Sequence, residues 1–314
     1  MQIRNRLSAV ALFSGSIAVL GGVLALVVTN PDASAPKATS AVAEPNAASA
    51  TPTATTRAMA MATAAPTAPA PLSTAVSGLI SADDDHESVA VENLGTGSTA
   101  SYNISDEYVT ASIVKLDILC TLLYQDQLSG RSPSASEMKL ITPMIDNSDN
   151  DAAQSLFEDE GGAAAIAAAN RVFGLSDTTV EENSVDEAGY SWGDTTTTAL
   201  DQLRLLRQVF TTSSVLTPAN RAYIENLMGS VESDQRWGVS AAADDPSSSG
   251  SDYMLKNGWL PRRITNLWEI NSIGEVQHDG QKYLVAVLSN NNKTMDSGID
   301  TVQRLAKEAV DALP

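Results

Sequence analysis

Ser112 and Lys115 stand three residues apart at the start of an apolar run, Val109-Thr110-Ala111-Ser112-Ile113-Val114-Lys115, which continues through Leu116, Leu119, Cys120 and Leu123. Residues i and i+3 share one face of a helix, so this spacing brings the lysine amine beside the serine hydroxyl. Burial among apolar neighbours lowers a lysine pKa, and an uncharged amine can take the serine proton. Backbone N–H groups at a helix start point at negative charge developing on a substrate carbonyl. Two further polar clusters lie downstream, Ser148-Asp149-Asn150 and Lys256-Asn257-Gly258. Each motif is short enough to recur by chance in a chain of this length. Ser148 and Asp149 read equally well as a helix N-cap ahead of Asp151-Ala152-Ala153. A Lys-x-Gly on a strand reads as a surface lysine before a bulge.

Composition narrows the chemistry. His86 and His278 are the only histidines, and neither lies near a recognisable partner motif for a His-based triad or metal site. Cys120 stands alone, so there is no internal disulfide and no cysteine-rich metal site. No metal and no cofactor is expected, and nucleophile activation falls to Lys, Asp or Glu. Residues 1–75 hold four basic groups (Arg4, Arg6, Lys37, Arg57) and two acidic ones (Asp32, Glu44), which leaves 15 basic and 36 acidic residues in 76–314. A part that acidic repels phosphate backbones, so nucleic acid is not an expected partner.

These candidates need elements to position them. Val89 to Leu94 alternates like a strand, Gly95-Thr96-Gly97 turns, and Ser98 to Ile104 returns, which predicts a hairpin. The apolar run after Ser112 predicts a helix, with Thr110 or Ser112 as its cap. A helical segment over Glu137–Ile145 leads to Ser148. Lys256 falls on a strand-like run, Tyr253–Trp259, followed by strands over Leu267–Val276 and Tyr283–Ser289 with a His278-Asp279-Gly280 turn between them. Leu200, Leu203, Leu206 and Val209 mark one helix face, and Ile299, Val302, Leu305, Ala309 and Leu313 mark that of a C-terminal helix. Cys120 reads as core packing on the nucleophile helix.

The first part of the chain is different. Arg4 and Arg6 precede an uncharged stretch, Leu7 to Val28. A positive start followed by an apolar run addresses a chain to the membrane. The run exceeds the roughly 7–15 residues of a signal-peptide core and reaches the roughly 20 that span a bilayer. Ala33-Ser34-Ala35 has the form of a cleavage site, but Pro36 follows it. Residues 1–30 are expected to be a signal peptide or signal anchor, the chain's only membrane contact, with the remainder extracytoplasmic. Residues 31–75 are Ala, Thr, Ser and Pro and hold seven of the 13 prolines, which predicts an extended, disordered spacer. Residues 76–314 form the expected catalytic domain, a monomer.

Taken in order, Ser-x-x-Lys after a hairpin, Ser-x-Asn in an α-rich middle, and Lys-x-Gly on a late strand before a terminal helix resemble the class A β-lactamases and penicillin-binding proteins over about residues 78–313. The resemblance implies an α+β fold, an antiparallel sheet packed by its terminal helices beside an all-helical lobe, with the active site between them. It implies Ser112 as the acylated serine, Lys115 as its proton acceptor, and Ser148 as the relay to the leaving nitrogen. Asn150 would bind a substrate amide, and Lys256, Asn257 and Gly258 the substrate carboxylate. The backbone N–H groups of Ser112 and Trp259 would form the oxyanion hole.

Three departures stand out. The stretch between Lys115 and Ser148 is roughly twenty residues shorter than in class A enzymes, so the lobe should lack the loop that overhangs the substrate. Asn257 replaces the hydroxyl residue of Lys-Thr-Gly. The deacylating glutamate, carried in the family on a loop that closes before an Asp-Thr-Thr like Asp194-Thr195-Thr196, has no clear counterpart. Glu181, Glu182, Asp186 and Glu187 read as solvated loop charges, and of these Glu181 has the best spacing to Asp194 to be any residual base. Trp192 and Gly193 read as the fixed end of that loop, and Arg262 and Arg263 as surface charge or a positive field for an anionic substrate. Three functions remain open on this reading: a β-lactamase acting on small-molecule β-lactams, a D,D-peptidase or esterase acting on cell-wall peptide, and a non-enzymatic wall-binding module.

Overall fold

The computed structural model describes residues 70–71, 86–184 and 189–314. The expected export segment, nearly all of the spacer, and the loop acids Asp186 and Glu187 lie outside the described residues. No helix among the described residues is long and apolar enough to cross a membrane.

Alternation sets the sheet. Strand β2 (Glu87–Asn93) folds back onto β3 (Thr99–Tyr102) as the predicted hairpin, with Val91 opposite Ala100. Strands β6 (Tyr253–Arg262), β7 (Leu267–His278) and β8 (Gln281–Asn292) form an antiparallel meander. With β1 (Ala70–Pro71) the order is β1-β3-β2-β8-β7-β6, so β6 is an edge strand, while β4 (Tyr108–Val109) and β5 (Thr196–Thr197) pair in a separate two-stranded sheet. Composition assigns residues 70–71 to the spacer, yet their backbone pairs in parallel with β3. An edge pairing through main-chain groups needs no apolar side-chain pattern, and an edge tolerates proline.

Both faces of the sheet are covered, which is why the central strand β8 carries the continuous apolar run Tyr283–Leu288. Leu284, Ala286 and Leu288 of β8 join the core of the helical side, while Tyr283, Val285 and Val287 pack with Val302, Leu305 and Ala309 of the last helix, α7 (Met295–Asp311). That face is the one predicted for the C-terminal helix. On the other side α5 (Ala199–Phe210) crosses β2, β7 and β8, burying Leu203, Leu206 and Val209. The helical lobe comprises α1 (Val114–Leu128), α2 (Ala135–Asp146), α3 (Asn150–Asp159), α4 (Gly162–Phe173) and α6 (Pro218–Met228). Residues 129–134 alone join α1 to α2, so the lobe is as short there as the sequence implies. The α1 helix is buried on nearly all sides, Cys120 included. A helix apolar all round belongs in the middle of a lobe, and this one carries Lys115.

Candidate active site

The start of α1 differs from the predicted capped helix. Ala111–Ile113 form a 3-10 turn, and no side-chain cap bond is made there. Thr110 Oγ1 is buried without a partner. Ser112 does not cap either: its Oγ lies 3.0 Å from Lys115 Nζ. Ala111 sits in the left-handed region at φ 46. A non-glycine residue held there costs about 1–3 kcal/mol and persists only where its surroundings enforce it.

Ser148 and Asn150 reach the same amine from α3. The Pro143 carbonyl, inside the last turn of α2, accepts from both Asn147 N–H and Asp149 N–H, tying down a tight reversal. Within it Ser148 takes φ 57. Asp149 then caps α3, its Oδ1 accepting from Ala152 N–H at 2.8 Å. The triplet divides between the two readings: Asp149 caps the helix, whereas Ser148 and Asn150 face Lys115. Lys115 Nζ lies 2.5 Å from the Ser148 carbonyl, 3.1 Å from Ser148 Oγ and 2.6 Å from Asn150 Oδ1.

Strand β6 supplies the third wall, and alternation decides which side chains face it. Lys256 Nζ donates to Ser148 Oγ at 3.0 Å and to the Asn257 carbonyl at 3.0 Å. Lys256 is therefore buried, not the surface lysine of the plainer reading. Asn257 points the other way. Its Nδ2 donates to the Gln235 and Trp237 carbonyls at 2.8 and 3.0 Å, and only 1% of the residue is exposed. The amide expected to help hold a substrate carboxylate is thus spent on the protein's own backbone. Gly258 faces the helix start so closely that a Cβ would lie 2.7 Å from the Thr110 carbonyl and 3.0 Å from Ser112 N. That approach requires glycine. It also brings the backbone around Trp259 beside that of Ser112, as a two-N–H oxyanion hole needs.

The hydrogen bonds constrain the protons. The Ser148 carbonyl and Asn150 Oδ1 can only accept, so they occupy two N–H groups of Lys115. An uncharged amine has two N–H groups and one lone pair, which leaves the lone pair for the hydroxyl of Ser112 or Ser148. Burial lowers the pKa of Lys256 to about 7. Ser148 Oγ therefore bridges two amines, one beside Ser112 and one with a proton to share near neutrality.

Trp192, read from sequence as the fixed end of a loop, does more than that. Its ring centroid lies 5.0 Å from Lys115 Nζ, its Nε1 donates to Gln154 Oε1 at 3.0 Å, and Tyr190 stacks on it at 5.1 Å. Tyr190 in turn donates to Asp151 Oδ1 at 2.6 Å, so the loop end is latched to α3 at two points. The sequence signal was an aromatic pair just ahead of Asp194-Thr195-Thr196 and gave no hint of α3. Glu181 is placed in the same loop but held in a turn, its Oε1 accepting from the N–H groups of Glu182, Asn183 and Ser184 at 2.9, 2.6 and 3.0 Å. Those bonds lower its pKa and make it a weaker base. Arg262 pairs with Asp194 at 2.6 Å, bridging β6 to the loop end. His278 meets the Ala242 carbonyl and Asp311 and makes no bond to Ser112, Lys115, Ser148 or Lys256 among the described contacts. No group of three or more His, Cys, Asp or Glu residues that could hold a metal occurs among the described residues.

A family model described as the beta-lactamase enzyme family matches residues 130–313, which takes in Ser148, Asn150 and Lys256. No curated protein sequence matches. Solved structures do. A beta-lactamase from Chitinophaga pinensis DSM 2588 superposes with a TM-score of 0.60 at 19% identity over 72% of this chain and 93% of that one. TLA-3 extended-spectrum beta-lactamase gives 0.65 at 14% identity over 77% and 98%. A mutant of PBP-A, solved as an acyl-enzyme complex with penicillin G, gives 0.60 at 18% identity over 77% and 97%. These identities establish a common fold. Ser112 and Lys115 precede the matched family span and join it through their contacts with Ser148 and Asn150.

Proposed function

The chain belongs to the beta-lactamase enzyme family, and from that premise we propose that it is a serine hydrolase acylated at Ser112 by β-lactams, with hydrolysis of the resulting ester as the slow half of its cycle. The observation that carries this reading is the meeting of Ser112, Ser148 and Asn150 around the Lys115 amine, with Lys256 reaching Ser148 Oγ from the other side, all at contacts of 2.5 to 3.1 Å. Lys115 takes the Ser112 proton as Oγ attacks the lactam carbonyl. The backbone N–H groups of Ser112 and Trp259 stabilise the oxyanion. Ser148 passes a proton to the leaving nitrogen and is resupplied from the lysines on either side of it. Lys256 attracts the substrate carboxylate as a charge, since Asn257 is turned away from it. A site for reversible wall binding alone would not need a serine hydroxyl shared between buried amines.

The second half requires a water molecule to be deprotonated. Glu181, the best-spaced carboxylate in the loop, is tied into its own turn, which supports a long-lived ester. The same observation favours a second reading, a D,D-peptidase or esterase acting on cell-wall peptide, in which an amine or a small acceptor takes the acyl group. Turnover of nitrocefin by the parent and by Glu181→Gln tests the proposal. We expect one fast equivalent followed by slow release in both. Rapid turnover that survives Glu181→Gln would show that another group activates water. Rapid turnover lost in Glu181→Gln would make Glu181 the base and overturn the slow step.

A further inference from the structure

Trp192 is buried against a site it takes no polar part in. Ser112, Ser148 and Asn150 meet the Lys115 amine with polar atoms, and the indole, centred 5.0 Å from Nζ, adds an apolar face to them. The 3-10 turn Trp192–Asp194 packs against the turn that carries Ser112, so the residue belongs to the surroundings of the hydroxyl as well as of the amine. An indole has a single polar group, its Nε1–H, and here that group is spent on Gln154 Oε1 at 3.0 Å. The ring is also held in place. Tyr190 stacks on it and is bonded to Asp151 of α3, Arg262 of β6 pairs with Asp194, and Thr110 N–H donates to the Thr195 carbonyl at 2.8 Å.

Hydrolysis of a Ser112 ester adds a water oxygen to the acyl carbon and hands a water proton to a base. The C–Oγ bond then breaks and Oγ takes a proton back. Lys115 lies beside Oγ and is uncharged again once its first proton has passed through Ser148 to the leaving nitrogen, so a base is at hand without any carboxylate. The water it would deprotonate must sit against Nζ, and a held water needs about two to four polar partners. On the side of the amine that Trp192 covers, the ring fills the space and offers no partner. We propose that Trp192 is a positioning residue that denies water a seat beside Lys115 and so preserves the Ser112 ester. The inference rests on the acyl-transfer reading and gives its slow step a cause of its own: a base is present and its water is kept out.

The test pulses the protein with benzylpenicillin, removes the excess on a desalting column, and follows loss of the Ser112 adduct by intact mass. Parent, Trp192→Phe and Trp192→Ser are compared, with the melting temperature of each. Phenylalanine keeps an apolar ring in place, whereas serine opens the space and supplies a polar partner. We expect release to quicken at least about tenfold in Trp192→Ser, towards the 10²–10⁴-fold that general-base help brings, and to stay within about threefold of the parent in Trp192→Phe. A ring needed for packing alone predicts a lower melting temperature and no faster release. Release in Trp192→Ser that is unchanged or slower overturns the inference and leaves acyl transfer standing. An equal rise in both variants assigns the effect to the Nε1–H and also overturns it, as does fast release in the parent. If Trp192→Ser does not fold, Gln154→Leu takes its place, since it frees the ring from α3 without removing it. A rise of at least about threefold is then expected, again as base help to a newly admitted water, and no rise overturns the inference. Absence of any Ser112 adduct in the parent sinks the acyl-transfer reading itself.

Discussion

Lys115 is the residue on which the site turns. It touches Ser112, Ser148 and Asn150 with one nitrogen, and sits over the Trp192 ring. Lys115→Met keeps the length and apolar stem of the side chain and removes the proton acceptor. Acylation of Ser112 is expected to slow by about 10²–10⁴-fold, the usual loss for general-base help, while the fold survives. Stopped-flow acylation with circular dichroism measures both. A parent-like rate would mean that some other group takes the serine proton.

At the scale of elements, the site is set by where backbones approach. Strand β6 and the 3-10 turn before α1 meet at Gly258, where a Cβ would lie 2.9 Å from Ile113 N. Gly258→Ala should push the strand away, at the cost of about 1–3 kcal/mol that overpacking brings. Acylation should fall by more than that loss of stability explains, because the Ser112 and Trp259 N–H groups, the proposed oxyanion hole, sit on opposite sides of the contact. Melting temperature and acylation rate, measured together, decide it; a variant that melts lower yet acylates normally would separate the contact from catalysis. Much of this was legible beforehand. Alternation and a glycine turn gave the β2–β3 hairpin, strand-like runs parted by a turn gave the β6–β8 meander, the 3.6-residue period gave α5 and α7, and motif order pointed to Ser112, Ser148 and Lys256 as one site. What the sequence hid depends on contacts distant along the chain. Nothing local shows that Asn257 donates to Gln235 and Trp237, or that Trp192 lies beside Lys115. The helix-start expectation failed because capping preferences are local, and Ser112 instead meets a lysine one turn ahead.

The molecule as a whole carries a charge problem in its helical lobe. Asp117 on α1 is fully buried, held by one bond from Asn170 Nδ2 at 2.9 Å, and burial raises its pKa to about 7. Glu160, at the end of α3, is raised as well, by burial and by Asp117. A carboxyl group whose pKa is higher folded than unfolded binds more protons in the native state. Its contribution is greatest below the unfolded value near 4 and is lost as pH rises towards 7. Asp117→Asn keeps an acceptor for Asn170 and removes the charge. Its melting temperature is expected to exceed the parent's at pH 8, with the difference closing towards pH 4. A parent that is equally stable at both values, with Asp117→Asn no different, would contradict this. The lobe that positions Lys115 is therefore expected to be firmest in mildly acidic conditions.

The central claim is that Ser112 is a nucleophile activated by Lys115, and mass spectrometry tests it most directly. The protein is mixed with millimolar benzylpenicillin, sampled from seconds to hours, weighed intact and then mapped by peptide. The account expects a single adduct of the opened penicillin on the peptide containing Ser112, slow to leave and absent from Ser112→Ala. No adduct at any time together with no turnover of the drug, or an adduct on another residue that persists in Ser112→Ala, would contradict it.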